Sequence, residues 1–263
     1  MPLSIVVITF NEEAVLGRPL ASVQGLVREH GGEIIVVDSG SSDRTLEIAR
    51  GYGAQVFVEE WKGFAAQKNS AIAKAKCDWI LSLDADEEVS PELSAWIGRL
   101  LRGEVSSAAQ VNGFWIARRN HFLGRWIRHG GFWPDPKLRL FRRGHGRIAD
   151  RPVHEVVEVE GATARVGDEA ASLIHHSYPT LSDYIEHMNR YSSLGAKMAT
   201  SRGPNGFSVM NILLRPAATF FYNYILRLGF LDGREGLLLH LYHAAYVSWK
   251  YAKAWEASRQ MEN

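Results

Sequence analysis

Asp84 and Asp86 flank Ala85 where the apolar run Trp79-Ile-Leu-Ser-Leu83 ends. A buried strand that breaks into Asp-x-Asp delivers two carboxylates at its carboxyl edge. Hard oxygen ligands at that spacing suit a divalent cation that also touches phosphate. Acidic loop tips are also common solvated turns, so the pair gains meaning only from what converges on it. Two other strand ends are polar: Thr9-Phe-Asn-Glu12 closes the first β-branched run, and Asp38-Ser-Gly-Ser-Ser-Asp43 closes the second. Lys68, within Gln67-Lys-Asn69, offers a point charge for phosphate. Asp43 reads first as a helix cap.

Bringing three such ends together takes a particular scaffold. Residues 3–101 alternate strand and helix patterns, with strands over 3–9, 33–37, 55–58 and 79–83. Helices are predicted over 12–26, 42–51 and 64–76, and again from Pro91 behind a cap near Ser90. Parallel strands need crossover connections, so this alternation predicts an α/β fold with a mostly parallel central sheet and helices on both faces. Ligands of such sheets sit beyond the carboxyl ends of the strands. Neither G-x-G-x-x-G nor G-x-x-x-x-G-K-[ST] occurs, which disfavours a dinucleotide dehydrogenase or a P-loop NTPase. A metal ion is then expected to do the phosphate work.

The 263 residues carry a formal charge of +1, which gives no global nucleic-acid signature. Charge is segregated locally. From Phe114 to Arg151 there are nine Arg and one Lys against Asp135 and Asp150, interleaved with His121, Trp126, His129, Phe132 and Trp133. The expected partner is a sugar-phosphate acceptor or an anionic lipid surface, and not nucleic acid. Cys77 is the sole cysteine, which excludes an intramolecular disulfide and fits a reducing compartment. The N-terminus enters a strand without a basic or cleavable leader, giving an expectation of cytoplasmic residence.

Beyond short strands over 156–166 and 171–176 the chain turns helical, which divides it into a catalytic domain over 1–178 and a helical region over 179–263. A helix over 182–200 is followed by the break Arg202-Gly-Pro-Asn-Gly206. Residues 207–230 are apolar except for Asn211, Arg215, Pro216, Asn223 and Arg227, which fall on about a third of a helical wheel. Such a helix suits the plane of a membrane interface, so peripheral association with an anionic membrane is expected. The competing reading is a helical hairpin packed on the catalytic domain or on a second subunit. Residues 237–249 are too few to cross a bilayer.

The ordered set Ile5-Val-Val-Ile-Thr-Phe-Asn-Glu12, Ile35-Val-Val-Asp-Ser-Gly-Ser-Ser-Asp-Arg-Thr45, Gln67-Lys-Asn69 and Leu83-Asp-Ala-Asp86 resembles the family 2 glycosyltransferases of the GT-A fold. The tail Arg215-Pro-Ala through Gly229-Phe-Leu-Asp-Gly233 is similar to lipopolysaccharide core glucosyltransferases of the WaaE/KdtX type. The resemblance implies an inverting transferase using a nucleotide-diphosphate sugar, UDP-hexose, and Mg²⁺ or Mn²⁺. It implies that Thr9, Asn11, Glu12 and Asp38 hold the nucleoside, with Phe10, Ser39 and Ala85 in the same donor-binding motifs and Lys68 nearby. Asp84 and Asp86 would meet ribose, metal and diphosphate, with Asp86 the favoured metal ligand and Asp84 on the ribose side.

Inversion also needs a base for the acceptor hydroxyl, opposite the leaving group. The pair His154-Glu155 resembles a His-Glu element of family 2 enzymes and makes Glu155 the favoured base, Asp150 the alternative, and His154 a candidate metal or diphosphate contact. Neighbours on a strand point to opposite faces, so both serve one site only where the strand bends. The reading is transfer of a hexose, glucose from UDP, to a lipid-linked saccharide. Its alternatives are a lipid-phosphate or protein acceptor, or a metal-dependent nucleotidyltransferase, against which the acidic Thr9-Phe-Asn-Glu12 argues.

Overall fold

The computed structural model describes residues 1–149, 156–201 and 207–262. Two compact units emerge, one formed by Met1–Arg118 and Asp135–His175, the other by Arg119–Pro134 and His176–Asn263.

The first unit begins β1 (Leu3–Thr9), α1 (Gly17–His30), β2 (Glu33–Asp38), α2 (Thr45–Gly51), β3 (Gln55–Val58), α3 (Phe64–Lys74) and β4 (Trp79–Leu83). It continues with β5 (Glu87–Val89) and α4 (Pro91–Leu101). β6 (Gly113–Phe122) runs on into the second unit, where β7 (Arg125–Trp126) pairs with its end. Back in the first unit come β8 (Lys137–Arg142), β9 (Gly146–Ala149), β10 (Val156–Val159) and β11 (Thr163–Arg165). β12 (Ser172–Tyr178) again passes from one unit to the other.

The sheet order is β3-β2-β1-β4-β8-β6-β12-β5. The first four strands are parallel, and β8 then joins β4 antiparallel. Near-continuous Val, Ile and Leu runs fit strands covered on both faces. Leu3, Ile5 and Val7 pack into one core with Leu20 and Val23 of α1 and Leu93 and Ile97 of α4. Val6, Ile35 and Val37 point the other way, onto Ala65 and Ala71 of α3. Helices on both faces of a largely parallel sheet, as the alternation predicts, therefore frame the strand ends.

α1 starts at Gly17, later than the predicted residue 12. Residues 11–13 are held by the next loop instead: the backbone N–H groups of Asn11, Glu12 and Glu13 donate to Ser41 Oγ, Thr45 Oγ1 and Asp43 Oδ2 at 2.8, 2.7 and 3.1 Å. Asn11 sits at φ 55°, which a short polar side chain tolerates. α4 begins as expected, Ser90 Oγ accepting from Leu93 N at 3.1 Å with Pro91 in the first turn. The three-residue β5 is absent from the sequence reading. It pairs antiparallel with β12, setting Glu87 opposite His175 and Val89 opposite Leu173.

In the second unit, α5 (Leu181–Thr200) carries a capping box between Thr180 and Asp183. α6 (Arg215–Phe220) precedes the long α7 (Gly233–Glu262). Lys253 Nζ ties α7 to α5 through Asn189 O, Ser192 Oγ and Ser193 Oγ, at 2.8, 2.8 and 2.9 Å. Phe122, Ile127, Tyr184 and Leu239 form the local core. The single helix predicted over 207–230 is not what forms. Wide π-turns over Met210–Leu214 and Phe221–Leu226 flank the six-residue α6, and a 3-10 turn over Gly229–Asp232 follows. Pro216 has no N–H for the i→i−4 ladder, and each π-turn inserts a residue into the helical count. A 3.6-residue wheel therefore misassigns the faces of this stretch. Among the described residues no helix is long and apolar enough to cross a membrane.

Candidate active site

β1 lies between β2 and β4, so Thr9, Asp38 and the Asp84–Asp86 turn leave the same carboxyl edge. Asp38 is fully buried and its carboxylate is used within the protein. Oδ1 accepts from the backbone N–H groups of Gly40 and Ser41 at 2.9 and 2.7 Å, and Oδ2 from the hydroxyls of Thr9 and Ser41 at 2.8 and 2.5 Å. Asp38 thus shapes the loop after β2. Asn11 Oδ1 accepts from Ser42 N at 2.9 Å, joining this loop to the one after β1. Phe10 stands exposed beside it. Ser39 Oγ is buried with no hydrogen-bond partner among the described residues, and the fully buried Gln67, next to Lys68, has both amide atoms unpartnered. Orphaned polar atoms of this kind, one just after β2 and two on α3 beside Lys68, fit a polar ligand that completes them.

Asp84 is clamped between cations. Lys68 Nζ donates to Oδ1 at 2.7 Å and Arg139 Nη2 to Oδ2. Burial opposes the ionised form, but the Arg139 and Lys68 charges more than reverse this and hold the Asp84 carboxyl below the usual range. Beneath it lies Glu87, fully buried. Its Oε1 accepts from Arg139 Nη2 at 2.9 Å and Arg118 Nη1 at 3.0 Å, while Oε2 accepts from the Asp84 backbone N–H at 3.2 Å. Arg118 continues to Asp135 Oδ2 at 2.7 Å. The result is a buried network in which each charge faces an opposite one, the condition under which burial of ions is tolerated, although Arg139 Nε has no hydrogen-bond partner among the described residues. Arg118, Glu87 and Arg139 are the residues that motif reading missed. Nothing local marks Glu87 within Asp84-Ala-Asp-Glu-Glu88, because its burial comes from the distant strands β8 and β12.

Asp86 differs. Its carboxylate is partly exposed, with His175 Nε2 3.1 Å from Oδ2. Burial raises its pKa, and the hydrogen bond and charge of His175 bring it down to a net position below the ordinary value. His175 is a fourth residue that motif reading missed, delivered by the β5–β12 pairing. Glu12 completes the acidic edge. Its carboxyl is raised to about 7, first by burial and then by the charges of Asp86 and Asp43.

A divalent ion fits this donor chemistry on one observation. Asp86 and His175 bring a carboxylate and an imidazole, both ligand types for a divalent ion, within 3.1 Å of one another across a hydrogen bond that a bound metal would replace. Asp84, with Lys68 and Arg139 on its two oxygens, has no oxygen free of a cation. Among the described residues no cluster of three or more metal-ligating side chains is assembled. Asp150, His154 and Glu155 lie outside the described residues.

Comparison with known proteins decides the family. The model of "Glycosyl transferase family 2" matches residues 4–156. The chain belongs to that family. Among relatives of this glycosyltransferase, the lipopolysaccharide core biosynthesis glycosyltransferase LpsC of Rhizobium meliloti (strain 1021) is 32% identical over 246 residues, covering 89% of this chain and 82% of that protein. The mannosyltransferase PcManGT from Pyrobaculum calidifontis, solved with GDP-Man and Mn²⁺, superposes with a TM-score of 0.54 at 16% identity, covering 96% of this chain and 86% of that one. S. aureus TarS 1-349 in complex with UDP gives 0.50 at 16%, covering 99% and 92%. These likenesses establish the GT-A fold for the glycosyltransferase.

Proposed function

We propose that this glycosyltransferase moves a hexose, glucose from UDP-glucose, with inversion onto a lipid-linked saccharide, and that Asp86 and His175 hold the divalent cation, Mg²⁺ or Mn²⁺, that the transfer uses. The observation that carries the reading is the contrast between two aspartates in one turn: Asp84 is neutralised by Lys68 and Arg139, while Asp86 faces an imidazole across 3.1 Å. When bound, the cation offsets negative charge on the departing diphosphate. Lys68 and Arg139 fix Asp84 as a rigid acceptor for ribose hydroxyls. Thr9 and Asp38 set the shape of the nucleoside loop, and Asn11, Glu12 and Ser39 present its polar edge. Glu155 takes the acceptor proton, with Asp150 as the alternative base. LpsC, named for lipopolysaccharide core biosynthesis, supports a saccharide acceptor of that kind.

Peripheral attachment to an anionic membrane belongs to the same reading. Fourteen large hydrophobic side chains between residues 207 and 241 are exposed, among them Phe207, Met210, Leu213 and Leu226 at 60, 60, 63 and 60%. Exposed Arg215 and Arg227 lie in the same stretch. An apolar surface of that extent with basic residues beside it suits the headgroup boundary of an anionic bilayer.

The donor half is tested by thermal shift with UDP, GDP, CDP and dTDP, with and without Mn²⁺. UDP with Mn²⁺ should give the largest rise, and Asp86→Ala should remove the metal-dependent part together with turnover. An equal rise without metal, or normal transfer by Asp86→Ala, removes the proposed metal site.

A further inference from the structure

The second unit holds a cluster that donor chemistry leaves unused. Residues 119–134 contain Arg119, Arg125 and Arg128 and no acidic residue. Two of these arginines lie on one indole, the guanidinium carbons of Arg119 and Arg128 standing 5.0 and 4.6 Å from the Trp126 ring centroid. Trp133 meets Trp126 edge to face, with centroids 5.1 Å apart. Arg128 is exposed and makes no ion pair among the described residues. A guanidinium held by stacking keeps its forked N–H edge available for phosphate or carboxylate.

The loop that bears Arg128 is firmly built. Buried Asp232 accepts from the backbone N–H groups of Arg128 and His129 at 3.2 and 2.8 Å, and lies 3.0 Å from His129 Nδ1. Gly130 donates its N–H to Arg227 O at 2.9 Å. It has φ +66°, and a Cβ there would fall 2.0 Å from the His240 ring, so only glycine lets the loop close down. Arg128 is thereby positioned by its backbone before any ligand arrives, which lowers the ordering cost of binding.

We propose that Arg128, held on Trp126, forms with Trp133 a recognition site for an anionic group, phosphate or carboxylate, carried by a saccharide acceptor. Arg128 takes the anion, and Trp133 takes the apolar face of the sugar. This rests on the acceptor half of the glycosyl-transfer reading.

The test is an NMR titration of the full chain with glucose 6-phosphate, glucuronate, glucose and inorganic phosphate, with UDP binding followed on the same samples. The anionic sugars should bind at least about tenfold more tightly than glucose, as charge-assisted bonds require. Which of the two binds better identifies the anion. Arg128→Ala should erase the difference and leave UDP binding unchanged, and Arg128→Lys should restore only part of it. Equal binding of glucose and both anionic sugars, undiminished binding by Arg128→Ala, or inorganic phosphate binding as well as glucose 6-phosphate overturns the proposal. So does a variant that keeps saccharide binding but detaches from phosphatidylglycerol vesicles, which would assign Arg128 to lipid. Failure of the wild type to bind UDP counts against the donor reading, and the saccharide arms still decide this one.

Discussion

The acidic edge at the strand ends should make stability depend on pH through Glu12. Its carboxyl is raised from the ordinary 4.5 to about 7 by burial and by the charges of Asp86 and Asp43. Between those values the folded protein holds a proton that the unfolded chain has lost, so stability falls as pH rises through that interval. The contribution is fully present below 4.5 and gone above about 7. At about 1.36 kcal/mol per pH unit the interval is worth ~3.4 kcal/mol. Solvent reaching the half-buried carboxyl reduces this to about 2–3 kcal/mol. Glu12→Gln cannot ionise and lacks the dependence. Urea denaturation of both proteins in EDTA, from about pH 4 to about pH 8, should show the variant gaining about 2–3 kcal/mol on the wild type and then levelling off. A difference that stays flat across this range would falsify the claim that Glu12, Asp86 and Asp43 share one desolvated edge.

Three further outcomes are expected. Arg139→Met leaves Glu87 and Asp84 each short of a buried cation and should destabilise the fold by about 3–5 kcal/mol in urea; an unchanged midpoint would mean that Arg118 and Lys68 suffice. Glu155→Gln should keep UDP binding and slow transfer at least about a hundredfold, whereas the same phenotype in Asp150→Asn alone moves the base there. Replacing Leu213 and Leu226 with Glu should lower co-sedimentation with phosphatidylglycerol vesicles at least about tenfold, and undiminished sedimentation would turn the exposed stretch into a protein-contact surface.

What the sequence discloses follows the range of the interactions involved. β1, β2 and β4 and the crossover helices are legible because both faces of those strands are buried, so each segment declares itself by its own apolar run. The strand-end residues Thr9, Asp38 and Asp84 come with them, since a parallel sheet brings all carboxyl ends to one edge. The start of α1 is not legible, because Ser41, Asp43 and Thr45 of the following loop hold residues 11–13 out of the helix. The bend in residues 207–232 is hidden for a related reason: a π-turn changes the period that a helical wheel assumes.

The sharper case is the turn at Leu83-Asp-Ala-Asp86. By sequence the resemblance favours Asp86 for the metal and Asp84 for the ribose side, but local chemistry gives no reason for that ranking. Long-range partners separate them. β8 sends Arg139 and α3 sends Lys68 to Asp84, while β12, paired to a three-residue strand with no pattern of its own, sends His175 to Asp86. Glu87 holds Arg139 from below, so its burial fixes which aspartate is neutralised. The contrast between a neutralised Asp84 and an Asp86 that faces His175 therefore comes from α3, β8 and β12, none of which the motif itself shows. Substitutions there, at Arg139 or His175, should exchange or erase the distinction without altering the motif itself.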